Sequence, residues 1–296
     1  SQEAKEYVKI AFDMSEQFDV PVFLRTTTRT AHSKSVVEMG EADRKLPKKY
    51  KQDPAKHVVP IYGKRWRQNI EDRLKKLEEF GETFPLNTIE WGSKETGVIT
   101  SGISYQYAKE IFGNASILKL GMVYPMPRKM LLDFCSQVEK VFVIEELEPF
   151  IEEHLRIIGA KNSRGENTII GKDVLPNMFE LSPDILRKSL FGNDGRHSFE
   201  SEIQVPLRPP VMCPGCPHSG VYYALHKLKA VVTGDIGCYT LGALHPFSAI
   251  DTTFCMGAGI GNAFGMEKVH RAAMGKKLVA VIGAGTFLHS GVAPLI

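Results

Sequence analysis

Apolar positions along this chain alternate between helical and strand spacing. Ala4, Val8, Ala11, Phe12 and Met14 recur with the period of an amphipathic helix over residues 3–18, and Val20–Leu24 then reads as a buried strand running into Arg25-Thr-Thr-Thr-Arg29. Residues 33–86 lose this regularity: they are rich in Lys and Glu, carry scattered prolines, and predict one charged helix around Asn69 to Phe80. Order returns at about Thr88. Gly97–Thr100, Ser116–Leu120 and Val141–Ile144 are short apolar runs of strand length, and helices through Ala108 and over 127–138 separate them. Residues 159–205 are again polar and turn-rich. From about Val211 a third unit follows, with a glycine-broken apolar helix and a final strand, Leu278–Ile282, that empties into Gly283-Ala284-Gly285-Thr286.

Strands alternating with helices at this spacing predict an α/β fold class with parallel, doubly wound sheets. The domain organisation expected from the pattern is 1–45 as the end of one α/β domain, 46–87 as a linker, 88–158 as a second domain, 159–205 as a connector, and 206–296 as the start of a third. A length of 296 residues accommodates such units, each with its own core.

Composition narrows the function classes. The hydrophobic fraction of 43% and charged fraction of 24% match soluble globular proteins. Formal charge is only +3, and the densest basic stretches, Lys48–Lys51 and Lys64–Arg67, fall in the polar segment as a solvated linker face. No basic stripe sits on a recognisable module, so no nucleic-acid partner is expected. No apolar run approaches the roughly 20 residues needed to cross a bilayer, so no membrane role is expected either. The polar start, Ser1–Lys5, lacks the layout of a signal peptide, which makes cytoplasmic the expected localisation and thiols or metal ligands the expected states of the five cysteines.

Candidate chemistry concentrates in the last ninety residues. Cys213-Pro-Gly-Cys216 can chelate a metal, with Cys238 as a third thiolate, can act as a redox dithiol, or can be small thiols packed in a glycine-rich turn. The run Gly257-Ala-Gly259-Ile-Gly261-Asn-Ala263-Phe-Gly265 lacks the preceding strand and following acid of a dinucleotide fingerprint, and reads as a helix packed close to another backbone. A strand that stops at a Gly-rich turn, as at Gly283–Thr286, can bring backbone N–H groups to a phosphate. Arg25 and Arg29 at a strand exit can clamp an anion or stand in solvent.

Met212-Cys-Pro-Gly-Cys-Pro-His218, Thr233-Gly-Asp-Ile-Gly-Cys-Tyr-Thr-Leu-Gly242, Asp251-Thr-Thr-Phe-Cys-Met-Gly257 and Val281-Ile-Gly-Ala-Gly-Thr-Phe-Leu-His-Ser-Gly291 together resemble the thiamine-diphosphate (alpha) subunit of indolepyruvate:ferredoxin oxidoreductase, in the 2-oxoacid:ferredoxin oxidoreductase superfamily. The resemblance implies that 1–45 ends a pyrimidine-binding domain, that 88–158 is a transketolase C-terminal-like domain, and that 206–296 begins a diphosphate-binding domain of thiamin diphosphate-binding fold. It implies oxidative decarboxylation of aryl-2-oxo acids such as indolepyruvate to aryl-acetyl-CoA with reduction of ferredoxin. It also implies a smaller beta subunit, a dimer or heteromer, and thiamine diphosphate, Mg2+ and a 4Fe-4S cluster as cofactors. Carried over residue by residue, Gly237, Cys238 and Tyr239 line the cofactor pocket, Cys255 and Met256 lie beside the thiazolium, and Gly283, Gly285 and Thr286 face the diphosphate. Cys213, Cys216 and Cys238 match cluster-holding cysteines.

Three departures accompany the resemblance. The family has an aspartate that binds Mg2+ where this chain has Ala284. Its second metal-serving residue, an Asn, falls beyond Ile296, and the glutamate that activates the cofactor falls upstream of Ser1. The expectation is therefore an internal part of a longer family member that holds no catalytic residue and is inactive as delimited. The alternative is a non-catalytic structural or regulatory relative that has lost the metal ligand.

Overall fold

The structure, a computed structural model, describes residues 1–41, 52–57, 59–192, 203, 206, 208–274 and 277–296. The chain divides into two compact units, Ser1–Ser198 and Phe199–Ile296. Of the basic stretches, Lys48–Lys51 lies outside the described residues.

The first unit begins with α1 (Gln2–Phe18), α2 (Thr28–His32), α3 (Pro54–His57) and α4 (Val59–Gly81). A five-stranded sheet and its helices follow: β1 (Thr88–Glu90), β2 (Ser93–Ser101), α5 (Ser104–Phe112), β3 (Ala115–Leu120), α6 (Arg128–Cys135), β4 (Lys140–Ile144), α7 (Phe150–Ile157), β5 (Ile169–Ile170) and α8 (Pro183–Phe191). The strand order is β1-β3-β2-β4-β5, with β1 antiparallel to β3 and every other pairing parallel.

Strand alternation sends neighbouring residues to opposite faces, and both faces are covered. Ile99, Leu118, Val141 and Val143 pack under Leu131 and Phe134 of α6 and Ile151 and Leu155 of α7. Val98, Ile117 and Ile144 pack under Ala108 of α5 and Leu186 of α8. This is a doubly wound α/β layer, as the sequence pattern predicts, although one edge strand is antiparallel. At the end of β4 the buried Glu145 accepts the N–H groups of Ile151 (2.8 Å) and Glu152 (3.0 Å), which caps α7.

Three elements differ from expectation. Val20–Leu24 is not a buried strand: none of it pairs with another strand among the described residues, and Phe23 is 90% exposed. An apolar run becomes a strand only where a neighbour accepts its ladder bonds, and here only Val20 is packed, against α1 and α4. The charged helix extends well beyond Asn69–Phe80, and its last turns enter a core of Met14, Leu77, Phe84 and Met122. Residues 159–205, read as a connector, supply β5 and α8, because Ile169, Leu175, Leu181 and Leu186 carry enough apolar surface to join the sheet.

Asn87 ties this helical cap to the sheet. Its Nδ2 donates to the Gly81 carbonyl (2.8 Å), and its Oδ1 accepts from the N–H groups of Gly121 (2.9 Å) and Met122 (3.0 Å). One buried amide thus satisfies the end of α4 and the exit of β3.

The second unit contains α9 (Pro217–Leu228), β6 (Val231–Thr233), α10 (Ala258–Met274) and β7 (Leu278–Ala280), with β6 and β7 parallel in the register Val232↔Val279. Tyr222, Leu225, Val232 and Ala249 form its core, with Val279 and Val281 against them. The close packing expected of the glycine-rich helix is present at Gly259: a Cβ there would sit 3.0 Å from the Gly234 carbonyl oxygen and 3.3 Å from that of Val281. The Thr233 hydroxyl donates to the Gly259 carbonyl at 2.7 Å. Among the described residues no helix is long and apolar enough to cross a membrane.

Replacing Asn87 with alanine strips partners from three backbone groups. We expect Asn87→Ala to destabilise the first unit by about 2–4 kcal/mol in urea unfolding. Asn87→Asp, which keeps the acceptor for Gly121 and Met122, is expected to lose measurably less.

Candidate functional site

The second unit is organised around one carboxylate. Asp235 leaves the end of β6 with no exposed surface. Its Oδ1 accepts the N–H of Ile236 (2.9 Å) and of Gly257 (3.0 Å), and its Oδ2 accepts the N–H of Gly283 (3.1 Å). The Thr286 side chain also hydrogen-bonds to it. Burial alone would push this carboxyl up. The three amides and Thr286 outweigh burial and hold it below the ordinary aspartate value.

These bonds join three turns that are far apart in sequence. The first runs from Gly237, whose φ of 127° is a left-handed-side conformation open to glycine, into a 3-10 turn over Cys238–Ala243. The second ends at Gly257, which has φ 88°, and where a Cβ would lie 2.1 Å from Ser290 Oγ; a side chain there would force the turns apart. The third is the exit of β7 through Gly283 into a helical segment that begins at Ala284. Tyr239 bridges the first and third: a Cβ on Gly283 would sit 3.0 Å from its hydroxyl. The His218 ring, in the first turn of α9, lies 4.7 Å from the Tyr239 ring.

The residues expected to contact a cofactor therefore fall on one connected framework. Gly237, Cys238, Cys255, Met256 and Gly285 are exposed, Tyr239 is half-buried, and Gly283 and Thr286 are buried. No atom lies within 4 Å of where a Cβ on Gly285 would point, so its backbone faces open space. Ala284 is exposed and offers no side-chain oxygen.

Cys213, Cys216 and Cys238 do not come together as a metal site. Cys213 and Cys238 are exposed and Cys216 is half-buried. Among the described residues no group of three His, Cys, Asp or Glu side chains is placed to hold a metal ion. Among the described residues neither a 4Fe-4S cluster nor a carboxylate-held Mg2+ at Ala284 has the side chains to hold it. Cys135 belongs to the first unit's core, where burial pushes its thiol up to about 12, so it is inert. Arg29 is paired with Glu180 at 2.5 Å.

Sequence reasoning passed over Asp235. The signal was available: a lone acid two residues after a buried strand, between Gly234 and Gly237, in a chain whose other turns are glycine-rich. An acid there has backbone amides for neighbours and little else.

Fold and turns together define an α/β protein with a glycine-lined turn cluster gathered by a buried acid at its strand ends. Among sequence relatives, the chain is 35% identical over 320 aligned residues to the indolepyruvate oxidoreductase subunit IorA of Archaeoglobus fulgidus, a match covering 100% of this chain and 50% of that protein. It is 37% identical over 317 residues to subunit IorA of Methanothermobacter thermautotrophicus and 36% identical over 332 residues to that of Thermococcus kodakarensis. The chain is a homologue of the IorA subunits along its whole length, and spans about half the length of these curated relatives. No family model and no solved structure matches it.

Because the Asp235 carboxyl is held below its unfolded value, its contribution to stability is complete above the ordinary carboxylate pKa of about 3.9 and is lost as pH falls through the lower folded value. Asp235→Asn, which turns a donor toward amides that need an acceptor, is expected to cost about 2–4 kcal/mol near neutral pH. It should also remove this carboxyl's share of acid sensitivity. Urea unfolding of both forms from about pH 7 down to well below the ordinary carboxylate pKa of about 3.9 measures both effects.

Proposed function

We propose that this chain forms part of an oxidoreductase subunit of the IorA kind, acting on indolepyruvate or related aryl-2-oxo acids, with the second unit contributing a thiamine diphosphate site. The observation that supports this reading most is the gathering of the 237–239, 255–257 and 283–286 turns on the buried Asp235 carboxylate. Whole-length similarity to IorA supplies the reaction class. Bound thiamine diphosphate supplies carbanion stabilisation after decarboxylation.

The chain's own residues bind and orient. Exposed backbone at Gly237 and Gly285 admits a diphosphate close to the main chain, as a side chain at either position would not. Asp235 keeps those turns in register, and Tyr239 backs Gly283 from behind. In this reading Cys255 and Met256 lie beside the thiazolium ring. A smaller beta subunit, CoA and ferredoxin complete the proposed reaction.

Mg2+ does not fit at Ala284, so no step is assigned to it. That observation favours a second reading, a relative that binds the cofactor weakly and serves a structural or regulatory role. Mg2+ tolerates little distortion and is held by one or two carboxylates plus phosphate, so a missing carboxylate should cost on the order of 2–4 kcal/mol. Calorimetric titration of thiamine diphosphate with excess Mg2+, on the full subunit assembly carrying this chain, separates the two readings. Ala284→Asp is expected to tighten binding by about a hundredfold. Tight, Mg2+-dependent binding by the alanine form that the aspartate does not improve would place the metal ligand elsewhere.

Gly285 gives an independent check. Since a Cβ there meets nothing within 4 Å, Gly285→Ala should leave stability within about 0.5 kcal/mol. In the Ala284→Asp background it should weaken diphosphate binding by about tenfold or more, for the methyl group would occupy the approach to the main chain. Unchanged affinity would remove Gly285 from the proposed cradle.

A further inference from the structure

We infer that Cys213 and Cys216 form a reversible dithiol–disulfide pair, a site of thiol–disulfide exchange at the entrance to α9. The two residues are the first and last of a closed turn. The Cys216 N–H donates to the Cys213 carbonyl at 3.0 Å, Pro214 occupies the second position, and Gly215 occupies the third with φ 74°. Proline then glycine at those positions, with a positive φ at the glycine, is the signature of a type II turn. Such a turn brings its outer Cα atoms within about 7 Å, which overlaps the range of about 4.4–6.8 Å that a disulfide spans.

Three further observations separate this pair from the other cysteines. Cys213 is exposed, so an external disulfide can reach it, whereas Cys216 is half-buried at the N-cap position of α9. That asymmetry gives one attacking and one resolving sulfur. The pair also has no third ligand among the described residues, so nothing there holds it as a metal site. Cys213 and Gly215 line a cavity of about 290 Å³ with Leu241, Leu244 and Phe247, which gives an incoming disulfide an apolar surface beside the exposed sulfur.

The exchange balances without a cofactor. The Cys213 thiolate attacks a low-molecular-weight disulfide, forming a mixed disulfide and releasing one thiol. Cys216, having lost its proton to solvent, then displaces the second thiol and closes the Cys213–Cys216 bond. Two protein thiols are oxidised, one external disulfide is reduced to two thiols, and a dithiol reverses the sequence. The preset turn favours the second step because little backbone freedom remains to be lost. The inference does not depend on the thiamine diphosphate reading.

Equilibration of the intact protein in millimolar reduced and oxidised glutathione, followed by acid quench, alkylation and peptide mass spectrometry, tests it. We expect the peptide carrying both cysteines to lose two hydrogens, with the internal disulfide exceeding glutathione adducts by about tenfold or more, as an effective concentration of the second thiol about tenfold above that of reduced glutathione gives. Gly215→Ala leaves both thiols in place and meets no atom within 4 Å, but forces a side chain into positive φ. It is expected to lower the disulfide-to-adduct ratio by about fivefold or more. Independent glutathione adducts on the two cysteines would overturn the inference. So would resistance of both thiols to alkylation until a chelator is added, which would make them metal ligands shared with another chain. An unchanged ratio in Gly215→Ala would overturn the role given to the turn.

Discussion

The second unit depends on a carboxylate that spends its acceptor capacity on backbone amides. A buried charge is costly unless hydrogen bonds replace its hydration, and Asp235 meets that condition with Ile236, Gly257, Gly283 and Thr286. Because those amides come from three separate turns, satisfying one side chain also fixes where each turn lies. The glycines follow from this arrangement. Gly257 must approach Ser290 without a Cβ, and Gly283 must pass beneath Tyr239. Local sequence choices that look permissive one at a time are thus consequences of a single electrostatic requirement.

The first unit shows a different source of order. Its sheet is held by apolar alternation on both faces, with Val98 and Ile99, Ile117 and Leu118, and Val143 and Ile144 pointing to opposite helical layers. That alternation is legible from sequence, which is why the central strands and the helices between them fall where the pattern predicts. What sequence could not supply is the partner of a weak run. Val20–Leu24 has the composition of a strand yet pairs with none among the described residues. Ile169–Ile170 is too short to stand out, but joins β4 because that edge is open to it.

The site was legible in its residues more than in its geometry. The Gly283–Thr286 turn stood out as a strand running into glycines, whereas Gly237 and Tyr239 came only from the family resemblance; in the structure these turns share one framework. Asp235 was overlooked although its place between Gly234 and Gly237, just after a buried strand, marked it, because its role is to satisfy amides rather than to touch a ligand. The cysteines carried the opposite difficulty. Three thiols near glycine turns suggest a metal, but only Cys213 and Cys216 share a turn, and Cys238 lies on the segment that Asp235 positions. Ala284 then separates the architecture of a diphosphate-binding turn from the metal chemistry that would complete it.

Amide hydrogen exchange under native conditions tests the central claim most directly. If the Asp235 carboxylate holds the three turns, the N–H groups of Ile236, Gly257 and Gly283 should be protected together, and Asp235→Asn should raise all three exchange rates while Val232 and Val279 in the strands change far less. If Gly257 or Gly283 keeps its protection in Asp235→Asn, the turns are held by other contacts, and the carboxylate is not the constraint on which the site depends.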